Sequence, residues 1–329
     1  MATTLGDIAR TTRTSISTVS RVLAGGDGAT RISPSTRKKV LRAAGRMGYR
    51  PNLVARSLRT RRSKTIALLV PDMANPWFGR VASLVEQSLH FHGYTLMLCN
   101  SAEDPEREKE YLRLLPSKGI DGLILVPLLR TKRILTDHLP KDLPIVLLDR
   151  GVPGVTAIVA SDLEQAGQSL CDTLQRAGVK SVAIVSGPLH VSTHRRRADA
   201  VARRFEVIAR HEGPAQKDTG RHAFVKFLHQ QPDAIVCTNN FLGEGVIDSI
   251  AKIETPAIIG CFDEIPMMHL LPIPIVATVQ DIPLLADGCV RQLLPQLDGE
   301  HRRPKPLVFP TRTVTNLQFQ IRQFDREHP

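Results

Sequence analysis

Two successive runs of alternating strand and helix signals constrain the fold of this chain more than any other feature. From Thr65 onward, short apolar segments typical of buried parallel strands are separated by helical segments, and the first set is TIALLV, YTLMLCN, GLILV and PIVLLD. The alternation resumes with SVAIVS, EVIAR, AIVCTN and PAIIG. Two such sets predict two doubly wound α/β lobes with parallel sheets, and 329 residues leave room for a further small domain.

The positive charge is concentrated at the start of the chain. The first 64 residues carry 15 lysines and arginines against two acids, Asp7 and Asp27, whereas the remaining 265 hold 29 basic and 30 acidic side chains. A nearly neutral body with a strongly basic head favours a dedicated module for binding a polyanion. The alternative is a disordered basic tail, which the apolar periodicity of the head disfavours.

Three short helices are predicted in this head. Thr4 is expected to cap the first, with Asp7 in its first turn, while Ser15 or Ser17 caps the second and Ser33 the third. The apolar positions expected to face inward are Leu5, Ile8 and Ala9, then Val19, Val22 and Leu23, and finally Val40, Leu41 and Ala44. Three small helices with a short turn between the first two predict a helix-turn-helix arrangement.

The second of these helices has the side chains needed to read DNA in the major groove. Arg21 can fork onto a guanine and Ile16 can touch a thymine methyl group, with Ser17 beside them at the base edges. Short hydroxyl donors suited to the flanking phosphates are Thr14, Ser15, Thr18 and Ser20. The alternative is that the hydroxyls only cap helices and that Arg21 is only solvated.

Polar side chains follow the predicted strands, where open α/β sheets bind their ligands. These residues are Asp72, Asn75, Asp149, Arg150, Asn239, Asn240 and Asp263. Asn and Asp can bond vicinal hydroxyls, and the neighbouring aromatic rings of Trp77 and Phe78 offer a face for a sugar. Two alternatives stay open, because Trp77 could instead pack between elements and the aspartates could instead cap strand ends.

Three consecutive motifs carry a family resemblance. TLGDIARTTRTSISTVSRVL, ISPSTRKKVLRAAGRMGYRPN and VARSLRTRRSKTIALLVPDMANPWF resemble the start of a lactose/galactose-repressor family regulator, and the likeness continues through nearly the whole chain. It implies that residues 50–58 form a hinge helix that folds on the operator in a dimer. Leu58, with Ala55 beside it, would then wedge into the minor groove, and Asn52 would fix the segment against the phosphate backbone. Arg13 departs from the family, which usually has glycine in this turn.

The resemblance also implies a domain organisation, and we expect neither a cofactor nor a metal. Its parts are a helix-turn-helix domain at 1–49, a hinge helix and linker at 50–64, and an effector-binding and dimerisation domain at 65–329. Within that domain, one lobe would comprise about 65–160 and 282–309, and the other about 161–281 and 310–329. We expect a homodimer, because a short recognition helix gains specificity from two-fold symmetry on a pseudo-palindromic operator. We expect it in the cytoplasm, because the sequence has no run of about 18 apolar residues and no signal-peptide h-region at its start. No membrane contact is expected, and the C-terminal segment lacks the heptads of a tetramerising coiled coil.

The same resemblance assigns effector-contacting roles in the cleft. It implies that Asp149 and Arg197 contact the ligand, and that Asn239, Asp263 and Gln280 complete the site. Asn240 stands in place of a usual Asp and Leu163 in place of a usual Asn, which affects hydrogen bonds around the cleft and its hinge.

Two length differences resemble the fructose repressor branch of the family. The loop AGGDGATRIS is longer than the common pattern and the segment from Arg197 to Asn239 is shorter. In that branch the ligand is a phosphorylated sugar, and the resemblance implies that Arg150 binds its phosphate, with Arg197 near it. Arg195 and Arg196 are more simply explained as solvated residues at a helix start.

Other functions find little support in the sequence. It contains no phosphate-binding, dinucleotide-binding or nucleophile-elbow motif, and His190 and His194 lack an acidic or cysteine partner for a metal site. The sequence therefore predicts a DNA-binding transcriptional regulator, and not an enzyme, controlled by a sugar or a sugar phosphate. The alternative is a sugar-binding protein or sugar-acting enzyme with a non-specific basic head.

Overall fold

The computed structural model describes residues 3–24, 32–49, 62–129, 131–250, 257–300 and 303–317. Contacts divide the chain into two compact units, Met1–Ser63 and Lys64–Pro329. The first unit contains helices α1 (Leu5–Thr12), α2 (Ile16–Ala24) and α3 (Pro34–Arg46).

Side-chain caps set the starts of these three helices. Thr4 and Asp7 form a capping box at α1, in which each side chain bonds the other residue's backbone N–H. Ser15 caps α2, because its Oγ accepts the backbone N–H of Thr18 at 3.1 Å. Ser33 caps α3 ahead of Pro34, as the sequence predicted.

One small apolar core joins the three helices. Its buried members are Ile8, Ala9, Val19, Val22, Val40, Ala43 and Ala44, with Leu5 and Leu23 packed at the edge. The inward-facing residues were predicted correctly except at Leu41, which is exposed. Ala43 lies inward instead, because positions three and four after Val40 share its face of the helix, whereas the next residue is about 100° away.

Arg13 ends α1 in a left-handed conformation, with φ 49°. This geometry costs an L-residue about 1–2 kcal/mol, whereas glycine adopts it without steric cost. We expect Arg13→Gly to stabilise the head by about 0.5–1 kcal/mol, measured by native-state hydrogen exchange of the α1 and α2 amides. Arg10→Gly, inside the same helix, should instead destabilise it by about 1 kcal/mol. Equal destabilisation by both substitutions would contradict the strain at Arg13.

The second unit consists of alternating strands and helices. Its strands are β1 (Thr65–Val70), β2 (Thr95–Asn100), β3 (Gly122–Leu125), β4 (Ile145–Leu148), β5 (Ile158–Ser161), β6 (Ser181–Ser186), β7 (Glu206–Glu212), β8 (Ala234–Cys237), β9 (Ile258–Phe262), β10 (Ile275–Gln280), β11 (Leu307–Phe309) and β12 (Thr311–Thr315). Its helices are α4 (Pro76–Phe91), α5 (Pro105–Ser117), α6 (Lys132–His138), α7 (Leu163–Arg176), α8 (Ser192–Ala202), α9 (Lys217–Phe227), α10 (Asn240–Ile250) and α11 (Ile282–Leu297), with a 3₁₀ turn at Met268–Leu270.

The strands form two six-stranded sheets. The first has the order β11-β5-β4-β3-β1-β2 with parallel pairing throughout, and the second has the order β12-β10-β9-β8-β6-β7. In the second sheet β12 runs antiparallel to β10, and the other pairs are parallel. Apolar clusters cover both faces of each sheet. The two predicted α/β lobes are confirmed, whereas strands β5, β10, β11 and β12 were not predicted.

The chain passes between the sheets after β5, after β10 and after β11. We call these crossings the hinge segments. Side-chain hydrogen bonds connect these segments. Ser161 Oγ donates to Gln280 Oε1 at 2.8 Å. The side-chain amide of Gln165 bonds the N, O and Oγ1 atoms of Thr311. Leu163 is buried, and the side-chain amides of Gln165 and Gln280 make hydrogen bonds between the hinge segments. The backbone N–H of Asp162 also donates to the carbonyl of Phe309 at 2.8 Å.

Two further findings concern the described residues. No helix among them is long and apolar enough to cross a membrane. All five cysteines are free and buried, as expected for small apolar core residues.

Candidate functional site

The outer face of α2 carries the predicted base-reading residues. Ile16, Ser17 and Arg21 are all exposed, while Val19 and Val22 on the opposite face are buried. Ile16 is 56% exposed although it is a large apolar side chain. An exposed isoleucine beside an arginine on a short helix is suited to contact with base edges.

The predicted phosphate-binding hydroxyls flank this surface and hydrogen-bond neighbouring hydroxyls. Ser15 Oγ lies 2.8 Å from both Ser17 Oγ and Thr18 Oγ1, and Thr14 Oγ1 lies 2.8 Å from Thr12 Oγ1. Capping and phosphate contact are compatible, because a hydroxyl that accepts one bond can still donate another. Ser20 is half-buried on α2. Asn52, Ala55 and Leu58 lie outside the described residues.

A cavity of about 640 Å³ lies between the two lobes of the second unit, at the carboxyl ends of their parallel strands. The ten residues predicted to bind the effector all line it: Asp72, Asn75, Trp77, Phe78, Asp149, Arg150, Arg197, Asn239, Asp263 and Gln280. Parallel strands explain this convergence, because their ends meet at one edge of each sheet. A volume of this size accommodates a small-molecule ligand.

Arg197 is the central residue of the second lobe's wall. Its guanidinium donates to both carboxylate oxygens of Asp263, at 2.8 and 3.1 Å, and to the carbonyl of Thr238 at 2.8 Å. Burial opposes the charged guanidinium, but the carboxylates of Asp263 and Asp149 outweigh it and raise the pKa of Arg197. Gln280 Nε2 donates to Asp263 Oδ1 at 2.6 Å, so this ion pair is also bonded to a hinge segment.

Asp149 and Asp263 occupy matching positions at the ends of β4 and β9. Both adopt left-handed backbone conformations, with φ of 64° and 75°. Aspartate tolerates this region better than most residues, and at both sites it begins the loop that lines the cavity. Burial raises the pKa of Asp149, against the opposing effect of the Arg197 and Arg150 charges.

Arg150 is a buried cation whose neighbouring carboxylates lie beyond hydrogen-bond distance. Its side chain is 7% exposed, and the nearest carboxylate oxygens lie 3.6 Å away on Glu103 and 3.8 Å away on Asp149. Its Nε and Nη1 atoms have no hydrogen-bond partner among the described residues. A buried donor without an acceptor costs about 1–3 kcal/mol, so this guanidinium is prepared to bind an anion that enters the cavity.

The wall of the first lobe is formed by the start of α4. Asn75 caps this helix through Trp77 N at 3.0 Å, and its Nδ2 donates to Asn240 Oδ1 of the other lobe at 3.2 Å. Asn240 therefore forms an interlobe hydrogen bond in place of a family aspartate. Phe78 is part of the lobe's core, whereas Trp77 is half-buried and meets it edge to face. The indole Nε1 of Trp77 has no acceptor within the described ranges.

Sequence reasoning missed several residues of the cavity, chief among them Glu103 and His194. Thr238 Oγ1 accepts the N–H of Gly187 at 3.1 Å and lies 2.8 Å from His194 Nδ1. This contact ties the imidazole to Thr238 with either atom as the donor, because a hydroxyl that accepts one N–H can still donate its own proton or accept a second bond. Burial and the charges of Arg150 and Arg197 hold the pKa of His194 well below its ordinary value, so the ring is neutral.

The tertiary packing explains why His194 could not be predicted as a cavity residue. A Cβ on Gly187 would lie 2.5 Å from the imidazole, so glycine is required for this packing. Arg195 and Arg196 are exposed on α8, as the sequence indicated. No cluster of His, Cys, Asp and Glu in the described part of the chain is arranged to hold a metal ion.

Two family models match this chain. Residues 4–52 match the bacterial regulatory proteins of the lacI family. Residues 63–262 match the periplasmic binding proteins and sugar binding domain of the LacI family. The first match covers the head and the second covers most of the two-lobed unit.

Curated relatives are transcriptional regulators. The ribose operon repressor of Halalkalibacterium halodurans is 30% identical and aligns over 95% of this chain and 96% of its own length. The HTH-type transcriptional regulator RegA of Clostridium saccharobutylicum is 40% identical over 56% of this chain and 55% of its own length. The first of these alignments spans both units.

Solved structures share the fold. The Lac repressor dimer bound to operator and the anti-inducer ONPF gives a TM-score of 0.85 at 21% identity, covering 95% of this chain and 98% of that one. The Cra regulator of Pseudomonas putida, in complex with fructose 1-phosphate, gives 0.70 at 23% identity, covering 77% and 98%. With a basic helical head, two α/β lobes and both family matches in agreement, the chain belongs to the LacI family and is a DNA-binding transcriptional regulator with a sugar-binding domain.

Proposed function

We propose that this regulator is a cytoplasmic homodimeric repressor of a pseudo-palindromic operator, released from DNA by a sugar phosphate. A fructose phosphate is the best candidate effector. The observation that carries the effector assignment is Arg150, a cavity-lining cation buried to 7% exposure whose Nε and Nη1 have no hydrogen-bond partner in the described chain.

The DNA-binding part of the proposal rests on the surface of α2. Arg21 and Ile16 read base edges, Ser17 assists them, and the flanking hydroxyls of Thr14, Ser15, Thr18 and Ser20 contact phosphates. One such helix contacts too few base pairs for useful specificity, and two copies related by a dyad double the contacts. The relative solved on its operator is a dimer, which supports this assembly. Asn52, Ala55 and Leu58 are proposed to form the hinge contacts.

In the proposed effector site, one set of side chains binds the sugar and another binds its phosphate. Asp149, Asp263, Asn239 and Gln280 bond the sugar hydroxyls, and Trp77 offers a ring face with an N–H at its edge. Arg150 binds the phosphate, with Arg197 nearby holding Asp263 in position. The structural relative solved with fructose 1-phosphate supports a ligand of this class.

The proposed switch acts through the hinge segments. Gln280 bonds Ser161 on one side and Asp263 on the other, so a hinge segment and the ligand-binding residues share one side chain. A ligand that closes the lobes thereby shifts one lobe against the other and alters the geometry of the dimer. Effector and operator must then weaken each other's binding by the same factor.

The test is calorimetry on the full-length protein with fructose, fructose 1-phosphate, fructose 6-phosphate and fructose 1,6-bisphosphate. We expect one phosphorylated sugar to bind at least about tenfold tighter than fructose, because charge-assisted bonds contribute about 1.5–3 kcal/mol. Arg150→Gln should remove this preference, while Arg196→Gln, an exposed arginine on α8, should retain it. A wild-type protein that binds fructose as tightly as every phosphorylated form would contradict the proposed effector.

A further inference from the structure

We propose that Glu103 determines the specificity of the anion subsite, which we define as Arg150 and the cavity surface around it. The Glu103 carboxylate is a counter-charge of Arg150, and an anionic effector must displace it. This inference rests on the proposed function, because it concerns the same cavity. It assigns a role to a residue that neither the motifs nor the family resemblance indicated.

The backbone around Glu103 is fixed in an uncommon conformation. Ala102 and Glu103 are consecutive left-handed residues, with φ of 55° and 56°. Glu103 N donates to the carbonyl of Pro71 at 2.7 Å, and Ala102 N donates to Asn100 Oδ1 at 3.1 Å. Asp104 then caps α5. These hydrogen bonds and the cap of α5 hold the loop on both sides of Glu103. They place its side chain at the cavity although the two left-handed residues are strained.

Three carboxylates surround the single charge of Arg150. Glu103 Oε1 lies 3.6 Å from Nη2 and Asp149 Oδ2 lies 3.8 Å from Nε, while Glu108 interacts electrostatically with both Arg150 and Glu103. Neither of the two distances is a hydrogen bond. The charge of Arg150 is therefore balanced, but its N–H groups are not satisfied.

Of these carboxylates, Glu103 is the one that can leave. Glu108 is 1% exposed and accepts the backbone N–H groups of Leu128 and Leu129 at 2.8 and 3.1 Å, which fixes it in the interior. The Asp149 side chain is 10% exposed, whereas that of Glu103 is 40% exposed. Rotation of Glu103 into solvent carries no desolvation penalty, because its charge remains hydrated, so the cost of displacing it is the lost attraction to Arg150.

The consequence is a cavity that discriminates by charge. A neutral sugar can occupy it while Glu103 stays beside Arg150, but a phosphate oxygen on Arg150 meets the carboxylate as a like charge. Removing one like charge a few ångströms from the phosphate should raise the affinity for the anion by about tenfold or more. This estimate uses an effective dielectric constant between that of water and that of a protein surface. Glu103 therefore weakens anion binding and sets the effector concentration at which the protein responds.

The experiment compares full-length wild type, Glu103→Gln and Glu110→Gln by calorimetry with fructose 1-phosphate, inorganic phosphate and fructose. Glu110 is an exposed glutamate on α5 that does not line the cavity, so its variant is the matched control. We expect Glu103→Gln to bind both phosphate compounds about tenfold tighter than wild type, with any fructose affinity unchanged. Glu110→Gln should equal wild type, and unchanged melting temperatures establish that the variants are folded.

The outcomes separate this inference from the proposed function. Phosphate affinities in Glu103→Gln that are equal to or weaker than those of wild type overturn the role of Glu103, even if wild type responds to sugar phosphates. If wild type shows no preference for phosphorylated sugars over fructose, the proposed effector is wrong. If the Glu103→Gln variant then gains that preference, the role of Glu103 is still supported. If tightening extends equally to fructose, the residue acts on cavity shape and the charge argument is wrong.

Discussion

Arg197→Ala should abolish the response to the effector while leaving operator binding in place. Its guanidinium joins Asp263 to the carbonyl of Thr238 and is 6% exposed, so truncation leaves a largely buried carboxylate without its partner. Truncating one member of such a pair costs about 2–5 kcal/mol of binding, a loss of about 30-fold to several thousand-fold. Calorimetry should show this loss, and operator release by the effector, followed by fluorescence anisotropy, should disappear.

Two controls make this result interpretable. Arg196→Ala removes the preceding arginine of the same helix, which is exposed, and should behave as wild type. Because an unpaired Asp263 also costs about 3–5 kcal/mol of stability, Arg197→Met combined with Asp263→Asn removes both charges and should recover the melting temperature without recovering the effector. If the effector still releases the Arg197→Ala protein from its operator at unchanged concentrations, the ligand is bound elsewhere.

Operator affinity should fall steeply as salt rises. The first 64 residues carry 15 basic and two acidic side chains, a net of +13, while the rest of the chain is nearly neutral. With about 6–10 phosphate contacts in a complex, released counterions imply a loss of about 10³–10⁵ in affinity between about 50 and 200 mM salt. Anisotropy titrations on a labelled operator at several salt concentrations measure this slope.

A scrambled duplex and a base-reading variant complete the salt experiment. Non-specific binding should show a comparable salt slope at lower affinity, because phosphates are present in every sequence. Arg21→Ala should lower operator affinity by about 1–3 kcal/mol and leave the scrambled duplex nearly unaffected. A salt-independent operator affinity would contradict a head that binds DNA chiefly through its charge, and an Arg21→Ala effect shared by both duplexes would contradict base reading.

The local signals of this sequence were sufficient for the three head helices and for eight of the described strands. Caps at Thr4, Ser15 and Ser33 and apolar spacing placed the three head helices, because both act within one or two turns of a helix. Eight apolar runs gave strands β1–β4 and β6–β9, and polar residues after several of them converged on one cavity because parallel strands end at a common edge. Four strands lacked such a signal, and among them β11 and β12 are partly exposed edge strands in which apolar runs are short.

The sequence by itself determined the basic head, the two α/β lobes and the residue types at the ends of their strands. Only the tertiary structure decided that Arg197 is paired with Asp263 while Arg150 is left with unsatisfied N–H groups. It also decided that His194, packed on Gly187, and Glu103, on a left-handed loop, reach the same cavity. A local pattern indicates which face of a helix or strand is buried. Ion pairing and charge balance depend instead on residues that are distant in sequence. Their separations are set only when the sheets and hinge segments pack.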